Sequence, residues 1–562
     1  MADKNETKPP TAAPITVTAV EEGDNHLSSW RLTIVIGSLC LGIFLFGLDV
    51  NIIGVAIPPI TTEFRSLPDV AWYGSAYLLT LTAFQPFFGN LYKFFNAKVV
   101  YLSSLVIFEA GSAICAAAQS SAVLIFGRAF LGLGAAGLLQ GALAIIGYAV
   151  TVDRVPLFQS IVVSSLVISV TFGPVIGGAL TEYVNWRTNV PAGAVVMIIV
   201  FFFVPVAKSA NSANQSLPIR EKLRRMDTPG LILFLGGITS LLLALTWGGQ
   251  TYPWRDSRII GLFVGFGLIT ILFCYWLVRQ GDLALIPLRV LKKRSIYMGS
   301  ITLTGFGTLN VVYGYYLPIL FQSAQGVSTT ESGLRYIALV GPQIVALIIV
   351  GSLVSKWGYY AGSLPAILVP YMIAGSIICS IGAGLLTTVN LSTSTPKWAA
   401  YLVLTGLGLG MGGQLPYTAL QAVLDPEDVA TGNAIAVFSF HLAGSVGTAI
   451  GQSLLIDGLY SAVPKYTQVV SASDVVQIGA TGLALVATSP EVLHALRSAY
   501  VEAVRRTIIL GLAGTLLAVP SSCAMEWVNI KRVAEERDRN RRLENGSTEI
   551  SASNVSETKS SH

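Results

Sequence analysis

The sequence predicts an all-α polytopic membrane protein, and three observations carry that prediction. Of 562 residues, 53% are hydrophobic and only 12% charged, against about 25% charged in a soluble globular chain. Apolar runs of about 20 residues, the length that crosses a bilayer as a helix, recur along the whole chain. Most basic residues stay out of those runs and gather in particular loops between them. A net charge of +5 distributed in this way is topogenic, and it leaves no patch suited to nucleic acid.

Taken in order, the runs give roughly fourteen spans: 32–57, 71–92, 99–118, 122–148, 159–181, 190–207, 229–248, 259–278, 297–320, 334–355, 362–387, 399–423, 433–456 and 502–523. The tails, 1–30 and 528–562, are polar and predicted to be disordered. No cleavable signal is evident, because the first apolar run is too long for one. An even number of spans puts both tails on one side. Lys208, Arg220, Lys222, Arg224 and Arg225 occupy one loop, and Arg279, Arg289, Lys292, Lys293 and Arg294 another. With the basic tail from Lys531 to Arg542, these make both termini cytosolic under the positive-inside rule. The loop 457–501 then falls outside as an ordered cap. Asn390-Leu-Ser392 is the one glycosylation sequon placed externally. The five cysteines (Cys40, Cys115, Cys274, Cys379, Cys523) lie in or near spans, with no CxxC, and read as small apolar residues.

Landmarks in the first six spans recur in the last six. Pro58 answers Pro318, and Gly89-Asn-Leu91 answers Gly351-Ser-Leu353. The glycines from Gly132 to Gly141 answer those from Gly406 to Gly413. Two six-span halves, 31–208 and 297–527, joined by loops and an extra pair of helices across 209–296, follow the plan of a secondary transporter.

Arg335, Arg505 and Arg506 lie within five residues of a span end. Arg128 lies deeper in its span, where a charge costs about 3 kcal/mol or more, so a partner or a function is expected for it. Asp49 in span 1 and Glu109 in span 3 are the acids at compatible depth. Counted at 1.5 Å per residue, Asp49 lies about 13 Å and Arg128 about 8–9 Å below the outer surface. Burial favours the protonated carboxyl, so either acid suits proton coupling. Arg128 is left three destinations: Asp49, Glu109, or snorkelling to the headgroups. Gly173-Pro174 with Gly177 and Gly178 in span 5 breaks a backbone hydrogen bond and admits a close neighbour, which suits a hinge. Gln85, Asn310, Tyr313, Gln343, Gln414, Gln421 and His441 are polar or amphipathic groups in spans and are candidates for a substrate cavity. Other aromatic residues at the end of span 9, among them Tyr315, Tyr316 and Phe321, read as an interfacial belt first. The four histidines are scattered, and HExxH, GxSxG and P-loop signatures are missing. No metal site or catalytic residues are assigned, no enzyme is predicted, and the drive is left to an ion gradient.

These motifs together resemble the major facilitator superfamily, and within it the fourteen-span drug:proton antiporters of fungal type. Leu48, Asp49, Ala56 and Pro58 fit that family's first span; Trp72, Tyr77, Leu79, Gln85, Pro86, Gly89 and Leu91 fit its second. Arg128, Gly132, Gly134, Ala135 and Ala136 fit its fourth, and Gly173, Pro174, Gly177 and Gly178 fit its antiporter motif. Ser332-Gly333-Leu-Arg335 and the region of Gln414, Pro416, Gln421, Asp428 and Val429 resemble its second half. Lys93 stands where the family carries an Asp, with Asn96 and Ala97 replacing a Gly and an Arg, a departure expected to weaken a gating lock there. The resemblance implies a major facilitator fold and alternating access. It implies a proton-coupled exporter, without cofactor, of an amphipathic organic compound such as a secondary metabolite, toxin or drug. Its partners would be the small substrate, protons and the bilayer; no nucleic acid is implied, and the protein would act as a monomer. Asp49 would carry the proton and Arg128 would be its partner. The plasma membrane is the expected location, with vacuolar or vesicle membranes as alternatives. The rival readings are an importer of siderophores or vacuolar basic amino acids and, more remotely, a membrane-embedded enzyme or sensor.

Overall fold

The computed structural model describes residues 29–64, 69–151, 153–183, 217–249, 252–357, 371–425, 427–479, 482–526, 530, 532–537 and 539. Every predicted span but the sixth coincides with a helix, or with two helices broken at a residue or two. The sixth, 190–207, and the first part of the eleventh lie outside the described residues. Among the described residues, eight helices are long and apolar enough to cross a membrane, and Val155–Ser169 and Tyr371–Leu386 are shorter apolar helices.

The first half contains α1 (Ser29–Phe64), α2 (Val70–Ala83), α3 (Gln85–Phe94), α4 (Ala97–Ala116), α5 (Ser121–Ala149) and α6 (Val155–Tyr183). Helices α2 and α3 form a single span interrupted at Phe84. Pro86 lies in the first turn of α3 and has no N–H to continue the ladder. The same cause splits the twelfth span into α14 (Thr395–Gly412) and α15 (Leu415–Val423), with Pro416 just inside the second piece.

Helix α5 is the axis of this half, and its glycines explain why. A Cβ at Gly134 would run into the backbone of Phe108 on α4, and one at Gly132 into the Tyr77 carbonyl on α2. The helices therefore touch backbone to backbone, which only small residues allow. In the second half α14 has the same place. A Cβ at Gly406 or Gly410 would strike the carbonyls of Leu339 and Gln343 on α12 (Thr329–Trp357), and one at Gly408 the amide of Cys379 on α13 (Tyr371–Leu386). Two chain halves thus build one motif twice, a glycine-faced helix clasped between two neighbours.

Between the halves lie the short α7 (Ile219–Arg224), the hairpin of α8 (Thr228–Trp247) and α9 (Ser257–Gln280), and the four-residue α10 (Leu288–Leu291). Asp227 anchors this insertion. It is 2% exposed, holds a left-handed backbone (φ 47°), and accepts hydrogen bonds from Gly230 N (3.1 Å), Trp276 Nε1 (2.7 Å) and Leu285 N (2.7 Å). Helix α8 straddles the seam: Phe234, Ile238 and Leu242 pack with Ala83 and Leu79 of the first half, and with Phe438 and Leu442 of the second.

The second half continues with α11 (Arg294–Gln325), α12 (Thr329–Trp357), α13 (Tyr371–Leu386), α14 and α15, then α16 (Val429–Tyr466), α17 (Ala472–Ile478), α18 (Leu483–Val486) and α19 (Pro490–Cys523). The loop expected over 457–501 is shorter than its sequence suggested, because α16 and α19 both run on past the apolar core. Their extensions are stitched by Lys465 and Tyr466 to Glu502, each at 3.0 Å, and by Arg506 to Ser461 at 2.8 Å. Charged residues end an apolar run without ending a helix.

Candidate functional site

Arg128 is 3% exposed on α5, and three contacts fix its guanidinium. Nη1 donates to Asp49 Oδ2 at 2.6 Å, Nε donates to the Tyr73 carbonyl at 2.8 Å, and the charge lies 4.6 Å from the centre of the Tyr77 ring. The local sequence produces this arrangement. Gly132, one turn further on, lets α5 close on α2, and Thr80 Oγ1 donates to the Ala129 carbonyl at 2.8 Å. Of the three destinations left open for Arg128, the structure selects Asp49. Snorkelling is ruled out by its burial and by the backbone bond to α2.

Glu109 does not join the pair. It is 8% exposed on α4, its Oε1 has no hydrogen-bond partner, and among the described residues it forms no ion pair. The pair itself is lopsided: the Arg128 side chain is 4% exposed and that of Asp49 is 22% exposed. Arg128 is sealed in protein, while Asp49 keeps part of its carboxylate exposed.

A second constellation lies where the two halves meet. Gln140 Nε2 donates to the Ala430 carbonyl at 2.7 Å, and Gln414 Nε2 reaches Gln159 Oε1 at 3.3 Å. Leu157 N donates to Ser355 Oγ at 3.3 Å. Close approach again needs glycine: a Cβ at Gly89 would collide with Ala434, and one at Gly351 with Ser160. At the rim of this seam Asp428, 1% exposed, takes Lys93 of α3 at 3.0 Å and both Nη atoms of Arg289 at 2.6 and 3.0 Å. Lys93 was expected to weaken any lock at its position. Instead it forms an ion pair between the halves, because the acid is supplied from the other half.

The remaining candidates scatter. Gln421 Nε2 bonds Asn433 Oδ1 at 3.2 Å within the second half, and Gln343 is buried on α12. Gln85 is fully buried with both amide atoms unpartnered. Asn310 and His441 are half-buried, and His441 Nδ1 lies 2.9 Å from the Val437 carbonyl. Tyr313 is no cavity residue here: it is 1% exposed between α11 and α19, with its hydroxyl donating to the Ile508 carbonyl at 3.1 Å. Tyr316 and Phe321 are likewise buried in the second half, so of the aromatic residues read as a belt only Tyr315 is broadly exposed. Gly173 is buried in α6, while the side-chain positions of Pro174, Gly177 and Gly178 lie outside the described residues. Asn390 is exposed at the turn before α14. Of the cysteines, Cys379 is buried and Cys274 and Cys523 are exposed. Sequence reading missed Tyr73, Gln140, Gln159, Asp227 and Arg289. Tyr73 acts through its backbone and carries no signal, whereas a glutamine inside an apolar helix such as Gln140 does.

Two like helical halves around a polar seam, with an ion pair inside one of them, follow the plan of a membrane transporter. A family model described as the Major Facilitator Superfamily matches residues 39–448, and the chain belongs to that superfamily. It is 40% identical over 515 residues to an MFS-type efflux pump of Arthroderma benhamiae, covering 90% of this chain and 93% of the relative. It is 38% identical over 512 residues to an efflux pump of Penicillium rubens, covering 90% and 92%. Among solved structures, a proton:xylose symporter of the superfamily aligns with a TM-score of 0.54 at 14% identity, covering 90% of this chain and 100% of that one. A human organic anion transporter aligns with a TM-score of 0.53 at 13% identity, covering 86% and 99%. These structural likenesses speak to the fold. The protein is a multi-pass membrane transporter.

Proposed function

We propose that the protein is a proton-coupled exporter of an amphipathic organic compound, working by alternating access. The observation that carries this reading is the uneven burial of the Asp49–Arg128 pair. When a proton reaches the exposed face of Asp49 it competes with Arg128 for the carboxylate. Protonation dissolves the pair, and the freed guanidinium, held by Tyr73 and Tyr77, biases α2 and α5 toward another packing. Release of the proton on the opposite side restores the pair. Because the halves meet through Lys93, Asp428 and the glutamine seam, the conformer described is closed at that end, which we assign to the cytosol together with both tails. Export over import is favoured by the efflux pumps among the relatives. The plasma membrane, a monomeric state and a glycan on Asn390 belong to the same proposal.

The test is Asp49→Asn in reconstituted vesicles, using a panel of amphipathic dyes and fungal metabolites. The variant is expected to retain gradient-independent exchange of a dye and to lose accumulation driven by an imposed pH difference. Undiminished proton-driven accumulation would remove Asp49 from the carrier role.

A further inference from the structure

The chain continues past α19 and returns to the closed end of the molecule. Residues 530 and 532–537, part of a tail expected to be disordered, are helical and packed there because Ile530 finds an apolar pocket. Arg294 Nε donates to the Ala524 carbonyl, 2.5 Å away, and Ser295 Oγ to Glu526 at 3.0 Å, so this segment leaves α19 tied to the start of α11. Ile530 is fully buried among Val350 and Val354 of α12, Met372 of α13, and Leu415, Ala419 and Ala422 of α15. Seven residues later, Arg537 Nη2 reaches the carbonyls of Gln421 (3.3 Å), Ala422 (3.2 Å) and Leu424 (2.7 Å). These carbonyls close the last turn of α15, where a helix has no internal donors of its own. The next residues form the elbow into α16, and that elbow carries Asp428. Lys293 Nζ adds a bond to the Val423 carbonyl at 3.1 Å. The elbow is therefore held from two sides: Lys93 and Arg289 on its acid, and the tail's Arg537 on its carbonyls.

We propose that the segment around Ile530 and Arg537 is an intramolecular latch on this gate. Docked, it braces α12 and α15 from behind; Gly351 and Ser355 of α12, and Gln414 at the N-terminus of α15, face the first half. The elbow cannot withdraw from Lys93 without breaking the guanidinium cap or emptying the Ile530 pocket. Undocked, the tail leaves the α15 terminus uncapped, and the seam opens more often on this side. The proposal rests on the alternating-access reading, and its test needs no transported substrate.

The test uses the full chain in detergent, with the five native cysteines replaced by alanine and a single reporter, Ser160→Cys, placed in the seam where the serine is 2% exposed. Arg537→Ala is expected to raise the rate of maleimide labelling about tenfold, the factor for one charge-assisted hydrogen bond of about 1.4 kcal/mol. Ile530→Asp should do the same by a different contact, and Arg537→Lys should restore part of the protection. Equal rates in all of these chains overturn the latch. So does an equal rise at a second reporter, Ser323→Cys, buried at 1% exposure elsewhere in the second half, since that outcome marks general loosening. The Asp49→Asn experiment stands apart, because it reads proton coupling whatever the tail does.

Discussion

Arg128 shows how much one residue's setting decides. Its charge is tolerable because each face of the guanidinium is matched: a carboxylate, a carbonyl and a ring face. Removing Arg128 takes away all three contacts and strands the Asp49 carboxylate. Because that carboxylate is partly exposed, the cost falls below that of a fully buried pair, about 3–5 kcal/mol. Arg128→Ala should therefore lower thermal stability markedly, which a melting curve of the purified protein will show. Arg128→Lys should recover little, because an ammonium lacks the planar fork that serves Asp49 and Tyr73 together. Glu109→Gln is expected to leave the melting curve close to the parent's, since Glu109 has no ionic partner to lose among the described residues. Sequence supplied the three charges and their depths. It left their pairing open, because depth along a helix says nothing about which way the helix is turned.

At the scale of elements, glycine placement and two prolines govern the packing. Gly134→Val would push a side chain into the Phe108 backbone and force α4 from α5. The expected outcome is loss of monodisperse protein on size exclusion, whereas Gly261→Ala, where a Cβ meets nothing within 4 Å, should be silent. Asp227 governs the inserted hairpin. Asp227→Ala leaves the Trp276 and Leu285 donors unmatched and sets a side chain without local hydrogen bonds in a left-handed backbone. A loss of about 2–3 kcal/mol is expected from the buried donors. Asp227→Asn, which tolerates that backbone, should lose less, and melting curves compare the two. Spans were legible from hydropathy because the bilayer fixes their length. Their true ends were less so: α1, α16 and α19 continue as helix beyond the apolar stretch.

Across the whole molecule, the contact between halves depends on residues far apart in sequence. Lys93, Arg289 and Asp428 come from the first half, the linking segment and the second half. Since both cations share one carboxylate, Lys93→Ala and Arg289→Ala should be strongly non-additive in a double-mutant cycle on stability. Additive losses would mean that the cations act separately. The linking hairpin adds a further tie, since α8 touches both halves and any rocking motion must slide along Phe234 and Phe438, whose rings lie 5.0 Å apart.

The sequence by itself determined that this chain spans a membrane through many helices and that Asp49, Glu109 and Arg128 lie within them. Those features follow from the energetics of lipid, which act on each segment separately and so are written in local composition. The tertiary structure alone decided that Arg128 faces Asp49, that Lys93 finds its acid in the other half, and that the tail returns to cap α15. Such pairings depend on helix rotation and on contacts between distant segments, and no local pattern encodes either.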